Sequence, residues 1–86
     1  MAEELHAAIL KLKNPNETAR FLRDLLTLPE IREFSKRFQI ATALYLKQGS
    51  YHTIARKLHV STTTVTRVAH WLHHGRGGYK LILDRS

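Results

Sequence analysis

Ser50 to Leu72, SYHTIARKLHVSTTTVTRVAHWL, decides how the chain is read. Counted from Tyr51, apolar residues fall at the fourth (Ile54), eighth (Leu58), tenth (Val60), fifteenth (Val65) and eighteenth (Val68) places, and the small Ala55 is fifth. Ile54 and Leu58 lie one helical turn apart and share a face of a first short helix. Val65, Val68 and Leu72 share a face of a second. Val60 is placed to plug the angle between them, and Ala55 is small enough for two steeply crossing helices to approach. Ser50 and Ser61 stand where N-caps are needed, each offering a hydroxyl to orphan backbone N–H groups. The pattern is that of a helix-turn-helix over about residues 50–73. His59 occupies the turn position that usually carries Gly, and it must therefore accept φ > 0. The competing reading is an ordinary helical hairpin within a bundle.

With 86 residues the chain has room for one domain, and residues 1–86 are expected to form it. A single core gives little margin at this size, and there is no Cys for disulfides or thiolate metal sites. Helical oligomerisation is a natural source of further burial. No 18-residue apolar run is present, and Glu3 and Glu4 stand where a signal peptide would be basic, so no membrane association and a cytoplasmic location are expected.

The charge distribution says more than the net +7. Residues 1–33 sum to −1, whereas residues 34–86 carry nine Lys/Arg against Asp84 alone and sum to +8. The basic half is the one with the helix-turn-helix. A polyanion such as double-stranded DNA fits that asymmetry, because each neutralised phosphate releases counterions.

Leu5, Ala8, Ile9 and Leu12 give residues 3–13 the spacing of an amphipathic helix, which Asn14-Pro15-Asn16 breaks. Asn16 is a candidate N-cap for a second helix from Glu17 to about Leu26. Pro29 suits the first turn of a long third helix, about Glu30 to Gln48, which Gly49 would end as a C-cap. Ile31, Phe34, Phe38, Ala41 and Tyr45 form one stripe on it, widened by Ile40 and Leu44. So broad an arc implies contacts beyond the helix's own neighbours. His74 to Gly78 reads as a linker, since neither nucleotide fingerprint surrounds its glycines. The tail Tyr79 to Arg85 reads as either a short helix or an extended piece packed on the body.

The chain resembles the Trp repressor superfamily, in particular the Trp repressor-related YerC/YecD family, over roughly Phe21 to Arg85. The resemblance lies in Leu26-Thr27 leading into a long helix with Arg37, in Gly49-Ser50-Tyr51, in Ser61-Thr62-Thr63-Thr64-Val65-Thr66-Arg67-Val68, and in Gly77-Gly78-Tyr79 with Leu83-Asp84-Arg85. It implies an all-α, intertwined homodimer that binds DNA sequence-specifically through the two short helices.

On that reading Ser61, Thr62, Thr63, Thr64, Thr66 and Arg67 are expected at the DNA. Threonine offers a hydroxyl to base or phosphate and a methyl to thymine, and Arg67 can pair bidentately with guanine or phosphate. Ser50, Tyr51, His52, Arg56 and Lys57, with Lys47 nearby, are expected to position the protein on the backbone. His70, His73 and His74 have spacing that could hold a metal, but no Cys, Asp or Glu lies close in sequence to complete a site, so no metal and no cofactor are expected and they read as surface or DNA-side histidines. No nucleophile–base–orienter set is visible, and catalysis is not expected. The alternative to a transcriptional regulator is an RNA-binding or protein-interaction helical module; an RNA binder would more often expose aromatics for stacking.

The resemblance also implies a possible effector pocket. Arg37 and Arg67 match the two arginines flanking the bound tryptophan of the Trp repressor, and Thr27 matches a residue beside them. Val68 stands where that repressor has the Gly that makes room for the indole, and Trp71 where it has a Ser that binds the ligand's polar end. The expectation is a cavity filled by the protein's own side chains and no useful affinity for L-tryptophan.

Overall fold

Where a Ser, Thr or Asn precedes a helix its side chain satisfies one of the first free N–H groups, and the computed structural model, which describes residues 1–85, shows the bonds. The element order is α1 (Ala2–Leu10), α2 (Pro15–Leu25), α3 (Leu28–Tyr45), α4 (Tyr51–Leu58), α5 (Thr62–His74) and α6 (Gly78–Asp84). No strand occurs among the described residues. By internal packing the chain divides into two units, Met1–Arg32 and the part from Glu33 onward; α3 begins in the first and continues into the second.

In the first unit α2 is capped by Asn14, not Asn16. The Asn14 side chain accepts from the Glu17 N–H at 2.9 Å, and the Glu17 carboxylate accepts from the Lys13 N–H at 2.9 Å. Proline at the first helical position explains the two-residue difference. Its missing N–H is no loss there, and its ring forces Asn14 into the extended conformation an N-cap adopts (φ −158°, ψ 167°). Thr27 and Glu30 form a reciprocal capping box at the start of α3. Glu30 accepts from the Thr27 N–H at 2.9 Å and from its hydroxyl at 3.0 Å, while Thr27 Oγ1 accepts from the Glu30 N–H at 3.3 Å. These bonds, the backbone one foremost, hold the Glu30 carboxyl below the usual carboxylate range.

In the second unit the core is built from α3, α4, α5 and α6. Ile40, Ile54 and Val65 are its largest fully buried side chains, joined by Ala41, Ala43, Ala55, Val68 and Leu83. Four of these come from the Ile54–Val68 pattern. Leu58 and Val60 pack against them half-buried. Ala55, 5 % exposed, is the small contact residue expected. Burial along α3 is confined to Ile40, Ala41 and Ala43, so the expected stripe is only partly inside: Phe34 and Phe38 remain 43 % and 41 % exposed. The helices that cover α3 reach only its C-terminal end.

Two left-handed residues stop α3 and α4 in the same way. At Lys47 (φ 53°) the chain turns back, with Lys47 N–H donating to the Leu44 carbonyl at 3.1 Å and Gln48 N–H to Ala43 at 3.0 Å. At His59 (φ 57°, ψ 45°) the bonds run from His59 to Arg56 at 3.4 Å and from Val60 to Ala55 at 3.0 Å. Both are Schellman closures built without glycine. Gly49 therefore does not cap α3, which ends at Tyr45; it lies two residues beyond the left-handed Lys47, in the lead-in to α4. His59 does take the φ > 0 its place in the turn requires.

The caps of α4 and α5 are alike. Ser50 Oγ accepts from the Thr53 N–H and Ser61 Oγ from the Thr64 N–H, both at 3.1 Å. The tail resolves into helix α6, with Leu83 buried and Tyr79 against the core. Tyr45 donates its hydroxyl to the Asp84 carboxylate, joining the end of α3 to the end of α6. Lys36 Nζ donates to the Leu58 carbonyl at 2.7 Å, joining α3 to the end of α4.

Replacing Ser61 by Ala is expected to destabilise the protein by about 1 kcal/mol. Lys47→Gly is expected to stabilise it by up to about 1 kcal/mol, because the left-handed backbone then has no side-chain penalty. Urea unfolding of both variants checks the pair; unchanged midpoints would mean neither helix end limits stability.

Candidate nucleic-acid interface

Because Val65, Val68, Ala69 and Leu72 are buried, the opposite face of α5 is turned to solvent. Thr62, Thr63, Thr66, Arg67 and His70 line a shallow surface depression there of about 420 Å³. Thr66 donates its hydroxyl to the Thr62 carbonyl at 3.0 Å, which leaves its oxygen lone pairs and its methyl facing outward. Thr64 lies apart from that face: it bonds Ser61 at 2.9 Å and lines a different cleft. The Ser50 and Ser61 hydroxyls are engaged as caps, whereas Tyr51, His52, Arg56 and Lys57 are exposed on α4.

The second cleft is larger, about 780 Å³, and it brings Arg37 and Arg67 together as the effector reading requires. Lys36 and Arg76 add to its positive lining. Arg37 is paired with Glu33 at 2.9 Å and its guanidinium lies 5.4 Å above the Phe34 ring. Val68 lines the cleft but is only 4 % exposed, so it belongs to the core and closes any deeper slot. Trp71 does not fill the space: its side chain stays at the surface, 55 % exposed, and the cleft is open. The expected filling of the cavity by the protein's own side chains is thus not met: Val68 and Trp71 both line the cleft, and it is open. Thr27 belongs to the first unit, where its hydroxyl and N–H are bonded to Glu30.

Among the described residues from Glu33 onward, the acidic side chains are Glu33 and Asp84, and each has a partner. The bond from Tyr45 keeps that phenol above its ordinary range, through the hydrogen bond first and burial second. The field over α4 and α5 is therefore set by the excess of cations over these two carboxylates.

The sequence reading took His70 as a surface or DNA-side histidine, and its spacing three residues beyond Arg67 puts both on one helical face. Its ring meets Trp71 edge-on at 5.8 Å and lies 5.4 Å from the His74 ring; His73 and His74 are 6.4 Å apart. Gly75 lets this end of α5 close, since a Cβ there would meet the Trp71 carbonyl at 2.3 Å and its ring at 3.0 Å. Among the described residues no group of three or more His, Cys, Asp or Glu is arranged to hold a metal ion. No helix among them is long and apolar enough to cross a membrane.

Comparison with known proteins agrees with this geometry. The chain is 37 % identical over 84 residues to the uncharacterized protein YerC of Bacillus subtilis (strain 168), covering 96 % of this chain and 79 % of YerC. The crystal structure of a TrpR like protein from Eubacterium eligens superposes with a TM-score of 0.89 at 38 % identity, covering 96 % of this chain and 84 % of the other. A Staphylococcus aureus crystal structure named for the Trp repressor gives 0.86 at 42 % identity, covering 98 % and 83 %. The family model for the Trp repressor protein matches residues 2–86, and the chain belongs to that family.

Proposed function

We propose that this protein is a sequence-specific, duplex-DNA-binding transcriptional regulator, a repressor that acts as a homodimer. The observation that carries the reading is the outward face of α5, where Thr62, Thr63, Thr66 and Arg67 share one depression in a half of the chain carrying +8. α4 and α5 then form a helix-turn-helix, and the start of α5 enters the major groove. Thr63 and Thr66 present methyls and oxygens to base edges, and Arg67 reaches guanine or a phosphate. α4 supports this from the backbone side. Tyr51 and His52 stand in its first turn and Arg56 and Lys57 in its last, all exposed and suited to fixing register and not to reading sequence.

The homodimer is supported by what the single chain leaves uncovered. No residue before Ile40 is buried, and Leu5, Ile9, Leu25, Phe34 and Phe38 are all at least 40 % exposed. A second copy covering these faces would bury the apolar area that an 86-residue chain lacks. Two recognition helices would then address half-sites about one helical turn apart.

One observation favours the alternative of an RNA-binding module: Tyr51 and Trp71, 42 % and 55 % exposed, are available for base stacking. Titrations of duplex DNA and of single-stranded RNA across a salt series separate the two. Tighter duplex binding with a steep salt dependence is expected. Arg67→Ala combined with Thr63→Ala should abolish discrimination between sites while the fold persists, and unchanged selection by that variant would overturn the assignment of α5.

Sedimentation is expected to give a dimer at micromolar concentration; a folded monomer at high micromolar concentration would refute it. L-tryptophan is not needed in this scheme. Val68 closes the indole slot and Trp71 removes a hydroxyl partner, so calorimetry with L-tryptophan should show no saturable heat. Micromolar binding that tightens the hold on DNA would reverse this conclusion.

A further inference from the structure

We propose that His70 is an additional DNA contact, and that its imidazolium, set against a backbone phosphate, makes duplex binding proton-linked. This rests on α5 being the DNA-facing helix. His70 lines the same depression as Thr62, Thr63, Thr66 and Arg67, so a duplex seated on those residues brings its backbone onto the His70 ring. The ring is held from one side by the Trp71 edge at 5.8 Å, and the His74 ring beside it at 5.4 Å continues the ridge toward the end of α5.

The two carboxylates from Glu33 onward, Glu33 and Asp84, are bonded elsewhere, to Arg37 and Tyr45. On α5 itself the neighbours are Arg67, His73 and His74. α4 brings His52, Arg56 and Lys57, with His59 in the turn that follows it. α6 and its lead-in bring Arg76, Lys80, Arg85 and Asp84, which is bound by Tyr45. α3 brings Lys36, Arg37 and Glu33, which is bound to Arg37. A phosphate laid against an imidazole favours its charged form. Histidine is the side chain whose charge changes between pH 5 and 8. A contact made by the imidazolium therefore takes up a proton on binding, and affinity rises as pH falls. It also adds one phosphate neutralisation, worth about 0.9 in the slope of log K against log salt.

The test uses the full chain and a duplex selected from a random pool, titrated over a salt series at pH 8 and pH 5.5. Wild type is expected to bind several-fold to about tenfold tighter at pH 5.5, the scale on which one histidine taken up in charged form acts. Its salt slope should steepen by about 0.9. His70→Gln keeps an N–H donor at an exposed site and cannot titrate. It should keep its helical signal and unfolding midpoint and, measured against its own affinity at pH 8, lose most of the gain at pH 5.5. Retention of the gain by H70Q, or its loss in H52Q or H59Q instead, overturns the proposal. Duplex binding with one slope at both pH values overturns the proton-linked contact alone. Absence of duplex binding at either pH overturns the DNA reading and this proposal with it.

Discussion

The turn at His59 and Val60 is the constraint on which the second unit depends. His59 stops α4 by entering the left-handed region, and the Val60 N–H closes on the Ala55 carbonyl at 3.0 Å. That closure leaves Val60 half-buried against the core and delivers Ser61 as the cap of α5. Once α5 starts there, Val65 and Val68 join Ile40 and Ile54 in the core, and Thr63 and Thr66 face solvent. A contact of a few residues thus fixes both the core and the direction of the outward face.

The electrostatic character of that face follows from where the acids are bonded. Glu33 and Asp84 are each bonded to a partner inside the second unit, and they offset only part of the positive charge carried there. Acidic residues are otherwise confined to the first 33 positions, where Glu17 and Glu30 reach back to backbone N–H groups at helix starts. The separation by sign is therefore also a separation by task. Carboxylates shape helix ends in the first unit, and cations face outward in the second.

Apolar residues left at the surface bear on function as much as those inside. A chain this short has few residues to bury, and the three fully buried large ones all lie between Ile40 and Val65. α1 and α2 are amphipathic without a buried side, a state that folded single chains seldom keep. In the proposed dimer those faces have a destination. The cleft between Arg37 and Arg67 in the second unit remains open and is positively lined on its own account.

Much of this was legible in the sequence because it depends on short-range periodicity. Ile54, Ala55, Val65 and Val68 occupy their places through spacing alone, and Ser50 and Ser61 cap because a hydroxyl one residue before a helix has one use. His59 was readable as a left-handed residue from its place in that spacing. Other features depended on competition between neighbours that periodicity does not rank. Pro15 moved the α2 cap from Asn16 to Asn14, and Lys47 rather than Gly49 took the left-handed position ending α3, because its N–H and that of Gln48 reach the last carbonyls in register. The extent of burial along α3, the helical form of the tail, the Tyr45–Asp84 bond and the open cleft beside Trp71 were decided only by tertiary packing. Which residues meet across a chain depends on where whole helices lie, and no local pattern carries that information. His70 sits between the two cases: its helical face could be counted from Arg67, but that this face forms a shared depression with the threonines emerged only when α5 was packed.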